Sequence, residues 1–176
     1  MSQQHAKPRF CPECGARALL PRCQKSLVCS QCGFCYFHNV AAAVAGLIVH
    51  QQQLLLVKRA LEPAKGLLDL PGGFVDPNES NEQALQRELR EELGLQVSSM
   101  RYLFSFPNTY LYRQVSYSTV DNFFLIELHE LPELQREATE LSELLWCKLE
   151  DIDPAHIAFD SIRRALARVV EQNLLV

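Results

Sequence analysis

The sequence predicts an α+β protein: a mixed sheet held between helices, preceded by a small segment knit together by cysteines. Three observations carry this expectation. Apolar runs of strand length alternate with two stretches of helical periodicity. Cys11, Cys14, Cys29 and Cys32 read C-x2-C-x14-C-x2-C. A Pro71-Gly72-Gly73 turn leads into a helix that carries Glu88, Glu91 and Glu92. With 176 residues and 48% apolar content, the chain suits one domain with a real core and a small appendage. The expected division is 1–37 for the appendage and 38–176 for the larger domain.

The cysteine spacing is that of two knuckles closing a four-thiolate zinc site. Cys11-Pro-Glu-Cys14-Gly15 and Cys29-Ser-Gln-Cys32-Gly33 each place a glycine after the second thiol, which eases the turn. Four thiolates leave no open coordination position, so the zinc is expected to be structural and the segment a zinc ribbon. Cys23, Cys35 and Cys147 fall outside the pattern and are given no role.

Along the remaining chain, Val40–Val49 and Leu54–Lys58 read as two strands joined through Gln51, Gln52 and Gln53. Leu67–Leu70 reads as a short strand running into the Pro-Gly-Gly turn. A helix follows, capped at Asn78, Ser80 or Asn81 and ended by Gly94. Val97–Phe106, Ser116–Leu128 and Leu144–Leu149 read as further strands. Asp160–Gln172 spaces Ile162, Leu166, Val169 and Val170 as one face of a closing helix.

The first helix has two distinct sides. Leu85, Leu89 and Leu93 form an i, i+4, i+8 stripe for a core. Glu88, Glu91 and Glu92 share another side. Glu88 and Glu92 repel as an i,i+4 pair, at about 0.2–0.5 kcal/mol if left bare. A hard divalent cation reverses that sign, and carboxylates are natural ligands of magnesium. The alternative is a solvated acidic face.

Gly73, Glu79, Arg87, Glu88, Leu89, Glu91, Glu92, Gly94 and Leu95 fill every fixed position of G-x5-E-x7-R-E-U-x-E-E-x-G-U, where U is bulky and aliphatic. In this the chain resembles the Nudix hydrolases. The resemblance implies an α/β/α sandwich over 38–176 and hydrolysis of a nucleoside diphosphate linked to another group, with Mg2+ or Mn2+ as cofactor. It implies Glu88, Glu91 and Glu92 as metal ligands, with the Gly72 carbonyl adding an oxygen. Arg87 is expected to fork onto Glu79 and hold the loop. A further acid is implied on a later loop. Glu137, Glu140 and Glu143 are candidates, and Glu140 is preferred as metal ligand or general base from its spacing to Trp146.

A four-cysteine ribbon before this motif is similar to the NADH pyrophosphatases. That similarity implies stacking of a base by Phe37 and Phe74; the alternative for each is core packing. The marker S-Q-P-W-P-F-P-x-S of those enzymes meets Ser105-Phe-Pro-Asn-Thr-Tyr-Leu-Tyr-Arg113 here: Ser105, Pro107 and an aromatic at Tyr110 match, the tryptophan and the other prolines do not. Asn108, Tyr110, Tyr112 and Arg113 remain a polar-aromatic lining. ADP-ribose, NADH and FAD-like molecules are the substrates this suggests. The other class of reading is a non-catalytic module that binds a nucleotide or RNA.

A net charge of −4 lacks the footprint of a general nucleic-acid binder without excluding RNA. Met1–His5 has no apolar signal-peptide core, and Ala41–Val49 is too short to span a membrane. The expectation is a cytoplasmic protein, with no membrane contact and with homodimerisation left open.

Overall fold

The computed structural model describes residues 8, 10–113 and 115–175; the pentapeptide Met1–His5 lies outside them. Cα proximity divides the chain into two compact units, Met1–Val40 with Leu111–Tyr117, and Ala41–Tyr110 with Ser118–Val176.

In the first unit, β1 (Leu19–Cys23), β2 (Ser26–Cys29) and β3 (Cys35–Phe37) form an antiparallel sheet in that order. These strands are too short to be read from the sequence. Among the described residues of this unit, Leu27 is the one buried aliphatic side chain; Cys11 and Cys29 are its other buried apolar residues. A unit with so little core needs a staple.

The second unit contains β4 (Ala41–His50), β5 (Gln53–Arg59), β6 (Leu68–Asp69), β7 (Gly72–Phe74), α1 (Asn81–Leu93), β10 (Leu141–Cys147), α2 (Asp160–Glu171) and most of β8 (Arg101–Tyr112) and β9 (Val115–Glu127), whose ends within Leu111–Tyr117 fall in the first. The strand order is β10-β5-β4-β9-β8, with β6 on β5 and β7 on β4. β4 runs parallel to β9, from Ala41 opposite Thr119 to Val49 opposite Glu127, and antiparallel to β5 and β7. The sheet is therefore mixed. Gln51 and Gln52 turn the chain between β4 and β5 with φ of 47° and 62°. Two positive φ values in a tight hairpin match the right-handed strand twist.

Strand alternation separates two cores. Leu47, Val49, Leu54, Leu56, Phe123 and Leu125 face Ile162, Ala165, Leu166 and Val169 of α2. Val44, Ile48, Leu55, Val57, Phe124 and Ile126 face Ala84, Leu85, Leu89 and Leu93 of α1. A sheet buried on both faces explains why β4, β5 and β9 are near-continuous apolar runs. This is the α/β/α sandwich the resemblance implied. Gly46 helps α1 come close: a Cβ there would lie 3.3 Å from Ile126 Cδ1 and 3.6 Å from Leu85 Cδ1.

Two strands differ from the sequence reading at both ends. β8 starts at Arg101 rather than Val97 and continues past Phe106 to Tyr112; it lies at the end of the sheet order, where a proline such as Pro107 is tolerated. β10 starts at Leu141 and ends at Cys147, with a register shift between Leu141 and Glu143; Leu149 instead opens a short 3-10 turn.

Candidate active site

The acidic turn is built by α1 and its caps. Ser80 proves to be the N-cap: its Oγ accepts the Gln83 N–H at 3.2 Å, while the Gln83 side chain accepts the Ser80 N–H at 2.8 Å. Gly94, at φ 65°, closes the helix with an N–H donated to the Arg90 carbonyl. Leu85, Leu89 and Leu93 are fully buried against the sheet. That docking fixes the rotation of the helix, and so the direction of its acids.

Arg87 ties the turn together. Its Nε and Nη2 donate to the two Glu79 carboxylate oxygens at 2.8 and 3.0 Å. Nη1 donates to Glu88 Oε1 at 2.7 Å and Glu91 Oε2 at 3.2 Å, and Nη2 also reaches the Phe74 carbonyl at 3.0 Å. The Arg87 hydrogen bonds hold Glu79 below the usual carboxylate range. Its partners in turn raise the affinity of Arg87 for its proton.

Glu88 is half-buried and Glu92 buried, while Glu91 is exposed. Glu92 Oε2 accepts the Gly72 N–H at 3.0 Å. Burial pushes both Glu88 and Glu92 above the usual range, most strongly Glu92, and the charge of Glu140 adds to both. Glu88 and Asp69 also act on Glu92. The two glycines permit this crowding. A Cβ on Gly73 would stand 2.4 Å from Glu88 Oε1, and one on Gly72 would stand 2.1 Å from the Val44 carbonyl oxygen.

Of the three later acids, Glu140 is the one whose charge reaches the turn. Glu137 accepts from Thr139 at its own loop, and Glu143 pairs with Lys58 at 3.5 Å on the surface. Phe74 and Tyr110 meet edge to face at 5.3 Å. Asn108 is already engaged, donating to Asp121 at 2.9 Å. Phe37, Tyr112 and Arg113 belong to the first unit, where Phe37 is exposed and Arg113 lies 5.4 Å from the Tyr112 ring centre.

Sequence reasoning missed several residues beside the acids. Asp69 is buried and paired with Arg59 at 2.8 Å; burial raises its pKa. An acid inside the apolar Leu67–Leu70 run was the available signal. Phe159, the N-cap of α2, contacts both Arg59 and Tyr110. No local pattern marks it.

The first unit holds a second cluster. Cys11, Cys14, Cys29 and Cys32 are brought together, all ligand atoms lying within 4.8 Å of one another, and could hold a metal ion. Cys11 and Cys32 sulfurs are 3.7 Å apart, as are those of Cys14 and Cys29. The knuckles are copies: Gly15 and Gly33, at φ 71° and 77°, donate to the Cys11 and Cys29 carbonyls at 2.9 Å. The Cys32 N–H holds the Cys29 thiol down to about 7. At Cys32 the Phe34 N–H favours the thiolate, but burial and the three neighbouring thiols outweigh it and push the group up to about 12. Adjacent thiols cannot all ionise without a cation among them.

The family model of the NUDIX domain matches residues 38–169. The NAD-capped RNA hydrolase NudC of Vibrio vulnificus is 30% identical over 167 residues, 95% of this chain; the alignment spans 59% of that relative's length. A NUDIX hydrolase from Nitrosomonas europaea shares the fold at a TM-score of 0.70 and 26% identity, covering 94% of this chain and 92% of that one. The NUDIX domain of Shewanella oneidensis NrtR, solved with ADP ribose, matches at a TM-score of 0.58 and 25% identity, covering 76% of this chain and 88% of that one.

 With its family model matched across most of its length, the chain belongs to the NUDIX domain family.

Proposed function

We propose that this protein is a divalent-cation-dependent hydrolase that cleaves the diphosphate bridge of a nucleoside diphosphate derivative. The observation that carries the reading is the crowding of Glu88 and Glu92. Two carboxylates are withdrawn from water beside a third acid, Glu140, at a turn whose glycines leave room for nothing but backbone. A fold bears that electrostatic cost where the charges serve a ligand. The donors are all oxygen, which fits Mg2+ or Mn2+. Glu88, Glu91, Glu92, Glu140 and the Gly72 carbonyl would hold the ions. Bound there, such ions neutralise diphosphate charge and lower the pKa of an attacking water.

The chain's own residues supply positioning. Arg87 and Glu79 lock the loop to the helix, and the Gly72 N–H orients Glu92. Glu140 serves as ligand or general base. Phe74, Asn108 and Tyr110 of the second unit would line the substrate site, and Phe37, Tyr112 and Arg113 of the first unit are further substrate-binding candidates. ADP-ribose, NADH and FAD-like molecules all carry the required bridge, as does the NAD cap named for the Vibrio relative. The ribbon, 1–37, would hold a structural Zn2+, and 38–176 would be the hydrolase domain. Four sulfurs at about 2.3 Å from a tetrahedral zinc stand about 3.8 Å apart. The 3.7 Å separations of the two sulfur pairs support that assignment.

The test is incubation of the zinc-loaded protein with Mg2+ and each of ADP-ribose, NADH and FAD, followed by quantification of the monophosphates released. Release by the wild type and its loss in Glu92→Gln are expected. Nucleotide bound but recovered unchanged would replace the hydrolase with a binding module.

A further inference from the structure

The contacts around the acids close into a circuit. Glu88 is held by Arg87, which also binds the Phe74 carbonyl. The Phe74 ring meets Tyr110, and Tyr110 meets Phe159 at 5.7 Å with a 35° tilt. The Arg59 guanidinium carbon lies 5.1 Å from the Phe159 ring centre. Arg59 Nη1 donates to Asp69 Oδ2 at 2.8 Å, and the charge of Asp69 acts on Glu92. The acids and the aromatic rings are thus linked through the Phe74 carbonyl on one side and the Arg59–Asp69 pair on the other.

We infer that Phe159, braced by Arg59 and continued by Tyr110, is the specificity-determining ring of a wall that stacks the planar base of the substrate nucleotide. The inference rests on the hydrolase reading for its substrate class, and it adds residues that the motif does not contain.

The wall is built to stay in place. Arg59 is not a loose cation: its Nε donates to the Pro63 carbonyl at 2.8 Å while Nη1 holds Asp69. Two residues beyond Phe159, Ser161 donates to Asp121 Oδ2 at 2.6 Å. Asp121 also accepts from Asn108 at 2.9 Å and Thr119 at 2.7 Å. Those bonds join β8, β9 and the start of α2, so the backbone carrying Phe159 is fixed from below. Phe159 is half-buried, Phe74 remains 40% exposed, and Tyr110 is half-buried between them. Phe159 packs on one side against the core under α2, and its remaining exposure, with that of Tyr110 and Phe74, is the surface offered to a base. Stacking a base on an aromatic face contributes about 1–3 kcal/mol, whereas a bare sugar phosphate offers no π-face.

Calorimetric titration with AMP and with ribose 5-phosphate tests this without requiring turnover. Wild type should prefer AMP by about 10-fold. Phe159→Leu keeps an apolar side chain but removes the π-face, and should narrow the preference to about twofold; Phe159→Trp should retain it. In ADP-ribose hydrolysis, Phe159→Leu should raise KM by about 10-fold while kcat stays within about twofold. Circular dichroism checks that each variant is folded, and Tyr110→Leu, which should also narrow the preference, serves if Phe159→Leu is not. An unchanged AMP preference in the folded leucine variants, or no preference in wild type, overturns the inference. AMP preference through Phe159 in a protein that hydrolyses nothing would sustain the wall and reject the hydrolase reading.

Discussion

The thiol cluster and the acidic turn are opposite solutions to gathering like charges. In the ribbon, four sulfurs from two copied knuckles converge within 4.8 Å, in a unit with almost no other core. On α1, the acids are held by a large hydrophobic platform and share two partners: Glu88 and Glu91 are tied to Arg87, Glu92 to the Gly72 N–H. The first arrangement brings four donors to one point, with Cys11 and Cys29 buried and Cys14 and Cys32 exposed. The second leaves Glu91 exposed beside the buried Glu92. The comparison teaches that the proposed zinc would serve the fold of one region and the proposed divalent ions the chemistry of the other, and that packing tells them apart.

The largest effect should come from Glu92→Gln. Turnover should fall on the order of 10²–10³-fold, measured as monophosphate release at saturating Mg2+. Retained activity would place the chemistry elsewhere. Because the platform is made by Leu85, Leu89 and Leu93, the fold should survive.

Cys29→Ser should do the reverse. Backbone amide exchange should accelerate across Leu19–Phe37 while the sheet of the second unit stays protected. Unchanged exchange in the ribbon would remove the distinction between the two centres.

Arg87→Lys keeps the charge but loses the fork that spans Glu79 and the Phe74 carbonyl. A loss of roughly 10–100-fold in kcat/KM is expected for such an outer partner. The adjacent glycines sharpen the point. Gly72→Ala sets a Cβ against the Val44 carbonyl and should destabilise the fold, read as a lowered Tm. Gly73→Ala meets only the mobile end of Glu88 and should weaken Mg2+ dependence with less change in Tm.

The smallest effect concerns pH. Glu88 and Glu92 have folded-state pKa values raised by burial. Their contribution to stability is therefore fully present below the ordinary carboxylate pKa and is lost as pH rises through the raised values. In EDTA, Tm should fall as pH increases across that window, by roughly 2–4 °C for each kcal/mol lost. Glu92→Gln should flatten the dependence, and Mg2+ should counter it. A Tm that rises in EDTA over the same window would contradict the burial of these groups.

The acidic turn and the four-thiol pattern were readable because each is local. Glu88 and Glu92 share a side by helical geometry alone, and Cys11 to Cys14 is a single knuckle. The mixed sheet between helices was readable from the order of the apolar runs, and the sandwich from the resemblance carried by Gly73–Leu95. What escaped the sequence was assembled across the chain. Arg59, Asp69, Tyr110, Asp121 and Phe159 meet only when five separate segments fold. The extension of β8 past Pro107 depends on its place at the end of the sheet, which no local pattern shows. The helix cap was narrowed to three residues, and only the reciprocal bonds of Ser80 and Gln83 decide among them.

The parallel pairing of β4 with β9 has a kinetic consequence. Residues paired in that ladder, such as Ala41 and Thr119, are distant in sequence, and everything between them, the acidic turn included, lies inside the loop so closed. Long-range parallel pairing bears a large closure entropy and forms late, after nearby hairpins such as β4–β5. The acids share a helix side from the start, but the docking of α1 on both β4 and β9 waits for that closure.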